Sequence, residues 1–319
     1  MEILATTERI IGHYRGTEPG ALVVAIGGIH GNEPAGVHAL ERLFDMLADE
    51  PRLNPGFTFR GELLALRGNL AALAAGVRYV DADLNRIWRP LPMPPDPLAV
   101  SEDRELYELL TAIETAVEEA PLSELVLLDL HTTTAAGGIF AVTGDDRSSL
   151  SLAAEMTVPV IKGMLSGLQG TTLHYFRGGH FPTQFPVRAV SFEAGAHDDP
   201  RSADLALAAT VNLLRALGCV REEDVSSYHD ELLREHAGQL PKMTELVYVH
   251  HIAADGSDGF RMRPHHRNFE AVTAGQVVAE DHNGEIAAPA DGYLLMPLYQ
   301  DQGEEGFFLV RDYQFPVAY

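Results

Sequence analysis

Short apolar runs alternate with stretches of helical period along the chain up to about residue 240. ALVVAI, GELLALRGN, ELVLLDLH and VRAVSFEAG read as strands. Between the first two, Pro34 to Asp49 carries Val37, Leu40, Leu43, Phe44 and Leu47 at helical spacing. A second helix starts at a Ser101 cap and lines up Leu106, Leu109, Leu110, Ile113 and Val117. A third runs from Ser202 through NLLRAL and ends at Gly218. Apolar strands separated by helices predict an α/β fold with a mostly parallel mixed sheet covered by helices. The proline-rich RPLPMPPDPLAV reads as an irregular crossing.

The pattern changes after about residue 240. TELVYVHHIAADG, GFRMRP, QVVAED, NGEIAAP, GYLLMPL and GFFLVRD are short strands between glycine, aspartate and proline turns. A catalytic domain over residues 1–238 and a smaller all-β domain over 239–319 are expected. GEIAAPADGYLLMP resembles strands of a lipoyl- or biotinyl-type barrel. No lysine follows Lys242, however, so a lysine-attached cofactor is excluded.

Composition narrows the function classes. The 319 residues are 46% apolar, enough for a large core. The net charge of −23 argues against nucleic acid and against anionic membrane surfaces. Lysine occurs only at Lys162 and Lys242, so the positive charge is nearly all arginine, which suits directed recognition of carboxylates. Cys219 is the single cysteine, so no intrachain disulfide forms, and a packed thiol in a reducing compartment is expected. MEILATTERIIGHYRG lacks the pattern of a signal peptide, and no apolar run is long enough to span a bilayer. A cytoplasmic location is the expectation.

Four polar clusters share one placement, each following or ending an expected strand. They are His30/Glu33 after ALVVAIGG, Asp83 to Arg86 after RYVDA, His131 after LVLLDL, and Glu193 after RAVSF. The carboxyl ends of strands in an open parallel sheet line one edge, where ligands bind. These distant residues are therefore expected to converge.

GGIHGNEPAG admits two readings. In the first it is part of a metal site. Two imidazoles and a carboxylate suit catalytic Zn²⁺ and leave a coordination position open. His30 and Glu33 come from one turn, and His131 joins from a neighbouring strand. Asp129 points to the same side as His131, placed either to orient an imidazole or to bind backbone amides. In the second reading the glycine-rich turn cradles a phosphate at a helix entrance. The stretch has neither G-x-G-x-x-G nor G-x-x-x-x-G-K-[ST], and Glu33 would repel phosphate. The metal reading ranks first. There is no G-x-S-x-G nucleophile elbow.

GGIHGNE, RYVDADLNR, DLHTTT and FEAG, in this order, resemble the motif set of the succinylglutamate desuccinylase/aspartoacylase family, whose fold is zinc carboxypeptidase-like. The resemblance covers roughly residues 20 to 200. It implies one Zn²⁺ per chain held by His30, Glu33 and His131. It implies Glu193 as general base, Arg78 as the arginine stabilising the oxyanion, and Asn85 with Arg86 as the grip on a substrate carboxylate. Arg78 and Arg86 are alternatively ion-paired at the surface with Asp81 or Asp83. Tyr299, or Tyr293, is the candidate for a tyrosine reaching the site from the C-terminal domain. Arg177 or Arg188 would supply a further substrate arginine. The pairs His250/His251 and His265/His266 match no family ligand.

The activity so implied is a zinc-dependent deacylase that cleaves the amide bond of a small anionic N-acyl amino acid. A carboxypeptidase-like peptide hydrolase would use the same metal set, and a β-domain roofing the site would favour small substrates. A non-haem Fe(II) oxygenase also uses two histidines and a carboxylate, though it has no need of Glu193. A catalytically silent binding protein is the remaining class.

Overall fold

The computed structural model describes residues 2–3, 8–90, 100–119, 122–225, 227–253 and 255–313. In chain order its strands are β1 (Glu2–Ile3), β2 (Ile10–Arg15), β3 (Glu18–Gly27), β4 (Arg60–Arg67), β5 (Leu125–Thr133), β6 (Phe140–Thr143), β7 (Val160–Lys162), β8 (Val187–Ala196), β9 (Met243–His251), β10 (Arg261–Met262), β11 (Glu270–Val272), β12 (Val277–Asp281), β13 (Gly284–Ala287), β14 (Gly292–Leu295) and β15 (Glu305–Asp312). The helices are α1 (Ala35–Leu53), α2 (Leu70–Ala75), α3 (Ser101–Glu119), α4 (Arg147–Glu155), α5 (Thr172–Arg177), α6 (Ser202–Ala216) and α7 (Ser227–Ala237).

One 12-stranded sheet runs β1-β2-β4-β3-β5-β8-β6-β7-β9-β15-β14-β11. Its centre, β4-β3-β5-β8, is parallel, while β2 and β6 flank it antiparallel. The long apolar runs of β3 and β5 follow from burial on both faces. Val23 and Ala25 pack beneath α1 and α6, with Leu40, Leu43 and Leu213. Leu22, Val24 and Ile26 point the other way, onto Leu106, Leu109 and Ile113 of α3. The two-residue period of a strand divides one apolar run between two cores. Burying each such leucine contributes about 1.5–3 kcal/mol.

The apolar faces expected for the helices starting at Pro34 and Ser101 are the buried ones, with Val117 of α3 packed at the margin, and the helix expected from Ser202 is present as α6, buried from Leu205 through Leu214. RYVDA is not a strand. Residues 78–83 form a loop, and Leu84–Arg86 make a single 3₁₀ turn capped by the Asp83 side chain. Two arginines, two aspartates and an asparagine within nine residues leave too few apolar positions to pack a strand on both faces. Most of the proline-rich crossing, residues 91–99, lies outside the described residues.

The described regular elements after residue 242 are all strands, but they do not stand apart from the sheet. β9 pairs in parallel with β7, setting Val160 opposite Met243, and β15, β14 and β11 continue the same sheet. β10, β12 and β13 form a separate three-stranded sheet around Met262, Val278 and Phe307. Among the described residues no helix is long and apolar enough to cross a membrane.

Candidate metal centre

β3, β5 and β8 are parallel neighbours, so their carboxyl ends share one edge. The loop after β3 brings His30 and Glu33 to that edge. Its glycines are demanded by close packing. A Cβ on Gly27 would sit 2.5 Å from backbone atoms of Gly36 and Val37, and Gly28 has φ +76°. A Cβ on Gly31 would lie 2.1 Å from the Ala72 carbonyl carbon. The Gly31 and Glu33 amides donate to the carbonyls of Arg78 and His30, so neither is spare for a phosphate. His131 lies near the carboxyl end of β5 and stands opposite Glu193 in the β5–β8 register.

His30, Glu33 and His131 offer ligand atoms that all lie within 4.8 Å of one another, and all three are buried. Nδ1 of His30 is 2.8 Å from Glu33 Oε1, and Nδ1 of His131 is 3.1 Å from Glu33 Oε2. The other ring nitrogens face carboxylates. Nε2 of His30 lies 3.2 Å from Asp83 Oδ1, and Nε2 of His131 lies 3.0 Å from Asp129 Oδ2. Each imidazole is thus held from behind by an acid, the arrangement that orients histidine ligands in metal sites. Asp83 also accepts two N–H bonds from Arg78, at 3.0 and 2.9 Å. The ion pair that the sequence allowed for Arg78 is therefore partly buried at the site rather than fully solvated.

Burial pushes the Glu33 carboxyl up, but His30 and His131 outweigh it and hold the group well below the usual range. Burial pushes His131 down, while Asp129 and Glu33 raise it well above an ordinary imidazole. Glu193 differs from these. Burial pushes its carboxyl up to about 8, with the Glu33 and Asp129 charges adding and His131 opposing. Its Oε2 is buried with no hydrogen-bond partner. A carboxyl that burial pushes upward and that keeps an unpaired oxygen is suited to take and return a proton.

These residues line a cavity of about 100 Å³ together with Arg78, Asn85 and Arg86. Asn85 Nδ2 is 3.5 Å from His131 Nε2, and its Oδ1 accepts from the Thr172 amide. Arg86 Nη2 donates to Glu305 Oε2 at 2.6 Å. Other sequence candidates lie elsewhere. The Tyr299 hydroxyl donates to the Arg263 carbonyl and accepts from the His266 amide, away from the cavity lining. Tyr293 bonds Asp312, Arg177 pairs with Asp146, and Arg188 pairs with Glu124. His250 stacks between Phe260 and Phe307.

Several lining residues escaped the sequence reading. Thr132 donates its amide to Glu33 Oε2 at 2.9 Å, and its hydroxyl lies 2.7 Å from His197 Nδ1. Thr172 donates its hydroxyl to Asp129 at 2.6 Å. Gln300 and Glu305 reach the cavity from the C-terminal strands and their connections. Thr132, with Thr133 and Thr134 also in the lining, carried a signal in the sequence, through DLHTTT beside His131.

Residues 19–179, half of the chain, match the model of the succinylglutamate desuccinylase/aspartoacylase catalytic domain. The chain is 25% identical over 294 residues to a succinylglutamate desuccinylase of Erwinia tasmaniensis, covering 88% of this chain and 80% of that enzyme. It is 36% identical over 133 residues to an N-acyl-aromatic-L-amino acid amidohydrolase (carboxylate-forming) of Mus musculus, covering 40% of this chain and 38% of that one. The crystal structure of a succinylglutamate desuccinylase/aspartoacylase from Rhodobacter sphaeroides superposes with a TM-score of 0.66 at 17% identity, covering 95% of this chain and 88% of that one. This last likeness is one of fold.

Proposed function

This chain belongs to the succinylglutamate desuccinylase/aspartoacylase family, and from that premise we propose that it is a Zn²⁺-dependent deacylase of N-acyl amino acids. The observation that carries the reading is the convergence of His30, Glu33 and His131 with Glu193, whose Oε2 is unpaired, on one cavity. The donor set fits zinc: two imidazole Nδ1 atoms and a carboxylate, each imidazole held by an acid behind it. When bound, Zn²⁺ supplies Lewis acidity, polarising a carbonyl and acidifying water.

The chain's own residues do the rest. Glu193 accepts a proton from the attacking water as its oxygen adds to the acyl carbon. The same carboxyl then passes that proton to the amine nitrogen as the C–N bond breaks, leaving a carboxylic acid and an amine, which end as carboxylate and ammonium once the acid's proton moves to the amine. Arg78, fixed by Asp83, places its positive charge at the edge where the carbonyl oxygen gains negative charge. Asn85 and Arg86 hold the substrate carboxylate.

The C-terminal strands, most of which extend the main sheet, act as the cover over the entrance. Met296, Leu298, Gln300, Gly303 and Glu305 in the cavity lining support that role, and so does the Thr134 hydroxyl bond to the Pro297 carbonyl. A roofed, small cavity favours N-acyl amino acids over peptides. The test is hydrolysis by zinc-loaded protein of a panel of N-acetyl and N-succinyl amino acids beside dipeptides. Chelation should abolish turnover and zinc should restore it. Exclusive cleavage of dipeptides, or iron-dependent turnover requiring an oxidant, would overturn the reading.

A further inference from the structure

Arg86, the proposed grip on the substrate carboxylate, already carries a counter-charge from its own chain. Nη2 donates to Glu305 Oε2 at 2.6 Å, Nη1 donates to the Asn85 carbonyl, and Glu304 lies 3.6 Å from Nε. The Arg86 and Glu305 side chains are 13% and 10% exposed, so the pair is screened little by solvent. Guanidinium has five N–H donors, so Arg86 retains hydrogens for a ligand oxygen even though its charge is answered.

Apart from the metal centre itself and its histidines, the described lining supplies no unpaired cation. Among the described lining residues the arginines are Arg78 and Arg86, and Arg78 is answered by Asp83. Arg177 and Arg188 are engaged in ion pairs elsewhere, and Lys162 sits over the Tyr313 ring. Much of the remaining wall is apolar: Val142, Met164, Leu165, Leu168, Leu173 and Phe308. A ligand with one carboxylate can use Arg86 and lay an apolar remainder on this wall. A ligand with two would bring its second charge beside Glu305, onto aliphatic carbon or onto uncharged groups such as Thr134 and Gln300, none of which answers it with a positive charge, so each placement is costly.

We propose that Glu305 is a specificity-determining residue: by pairing with Arg86 it restricts the cavity to monocarboxylate substrates with an apolar remainder and disfavours dicarboxylates. The inference rests on reading this cavity as an N-acyl amino acid site. Its test therefore separates binding from turnover. Calorimetry on zinc-loaded Glu193→Gln protein would compare N-acetyl-leucine with N-acetylaspartate. The first should bind more tightly by about tenfold or more, the size expected when a buried second charge lacks a partner. Adding Glu305→Gln, which keeps the side chain's shape, should move that ratio at least about tenfold towards N-acetylaspartate. Adding Glu305→Asp, which keeps the charge, should leave the preference for N-acetyl-leucine in place. Equal or tighter binding of N-acetylaspartate without a Glu305 change, an unmoved ratio in Glu305→Gln, equal shifts in both Glu305 variants, or binding of neither ligand would overturn the proposal. Hydrolysis by the unmutated protein reports separately on deacylation. Selective binding without turnover removes the deacylase reading and leaves the selectivity standing. Equal turnover of both compounds does the reverse.

Discussion

Asp129 and His131 stand two positions apart on β5, and Oδ2 of the first lies 3.0 Å from Nε2 of the second. The alternation of a strand puts both side chains on one side, and burial leaves Asp129 no solvent to compete. The acid thereby turns Nδ1 of His131 towards Glu33. Asp129→Asn should fold but bind zinc about 10–100-fold more weakly. Competition with a chromophoric chelator measures this, and unchanged affinity would remove Asp129 from the site.

If His30, Glu33 and His131 hold zinc as proposed, three ligands from two chain segments make the metal a cross-link that only the folded chain can hold. Zinc should therefore raise the melting temperature of the native protein by mass action, by an amount that grows with metal concentration. His131→Ala should lose both that rise and the bound metal in native mass spectrometry. A full complement of zinc in this variant would refute the ligand set.

Glu193→Gln should retain zinc while kcat falls about 10²–10⁴-fold. The pH dependence follows from the role. A base acts deprotonated, so kcat/KM should fall as pH drops through the Glu193 pKa. That pKa is about 8 without metal, and a nearby dication moves it lower. Acid loss of activity that persists unchanged in the residual rate of Glu193→Gln would point to a different group.

Far from the cavity, Arg215 donates to both oxygens of Asp230 at 3.0 and 2.7 Å, and Asn212 adds a third bond at 2.9 Å, tying α7 to α6. The hydrogen bonds from Arg215, opposed by partial burial, hold the Asp230 carboxyl below its ordinary value. A depressed folded pKa contributes stability above the unfolded value, near 3.9, that is lost as pH falls through the folded one. Asp230→Asn should cost about 1–2 kcal/mol at neutral pH. Urea melts should show that difference shrinking in acid. A penalty of equal size at every pH would contradict the linkage.

Cys219 is buried, and burial pushes its thiol up to about 12. The native protein should resist thiol-specific reagents at neutral pH and react once in denaturant. Labelling followed by mass spectrometry distinguishes the two, and rapid native labelling would place the thiol at the surface.

The sequence by itself determined the helical faces of α1 and α3, the start and end of α6, the doubly buried strands β3, β4, β5 and β8, and the cluster of His30, Glu33, His131 and Glu193. Periodicity encodes which face is buried, and residues at the carboxyl ends of parallel strands converge whatever their separation in the chain. Other features were settled only in three dimensions. β2, β6 and β7 are short or lie beside a dominant neighbour, so their local pattern is weak. β9, β15, β14 and β11 join the catalytic sheet through a backbone pairing with β7 that no side-chain pattern records. The loop from Arg78 to Arg86 has no period at all, yet it places Asp83 behind His30. The pairing of Arg86 with Glu305 spans 219 positions, so no local pattern could announce it. Charge pairs of this kind are made by the approach of two surfaces, and only tertiary structure decides which surfaces meet.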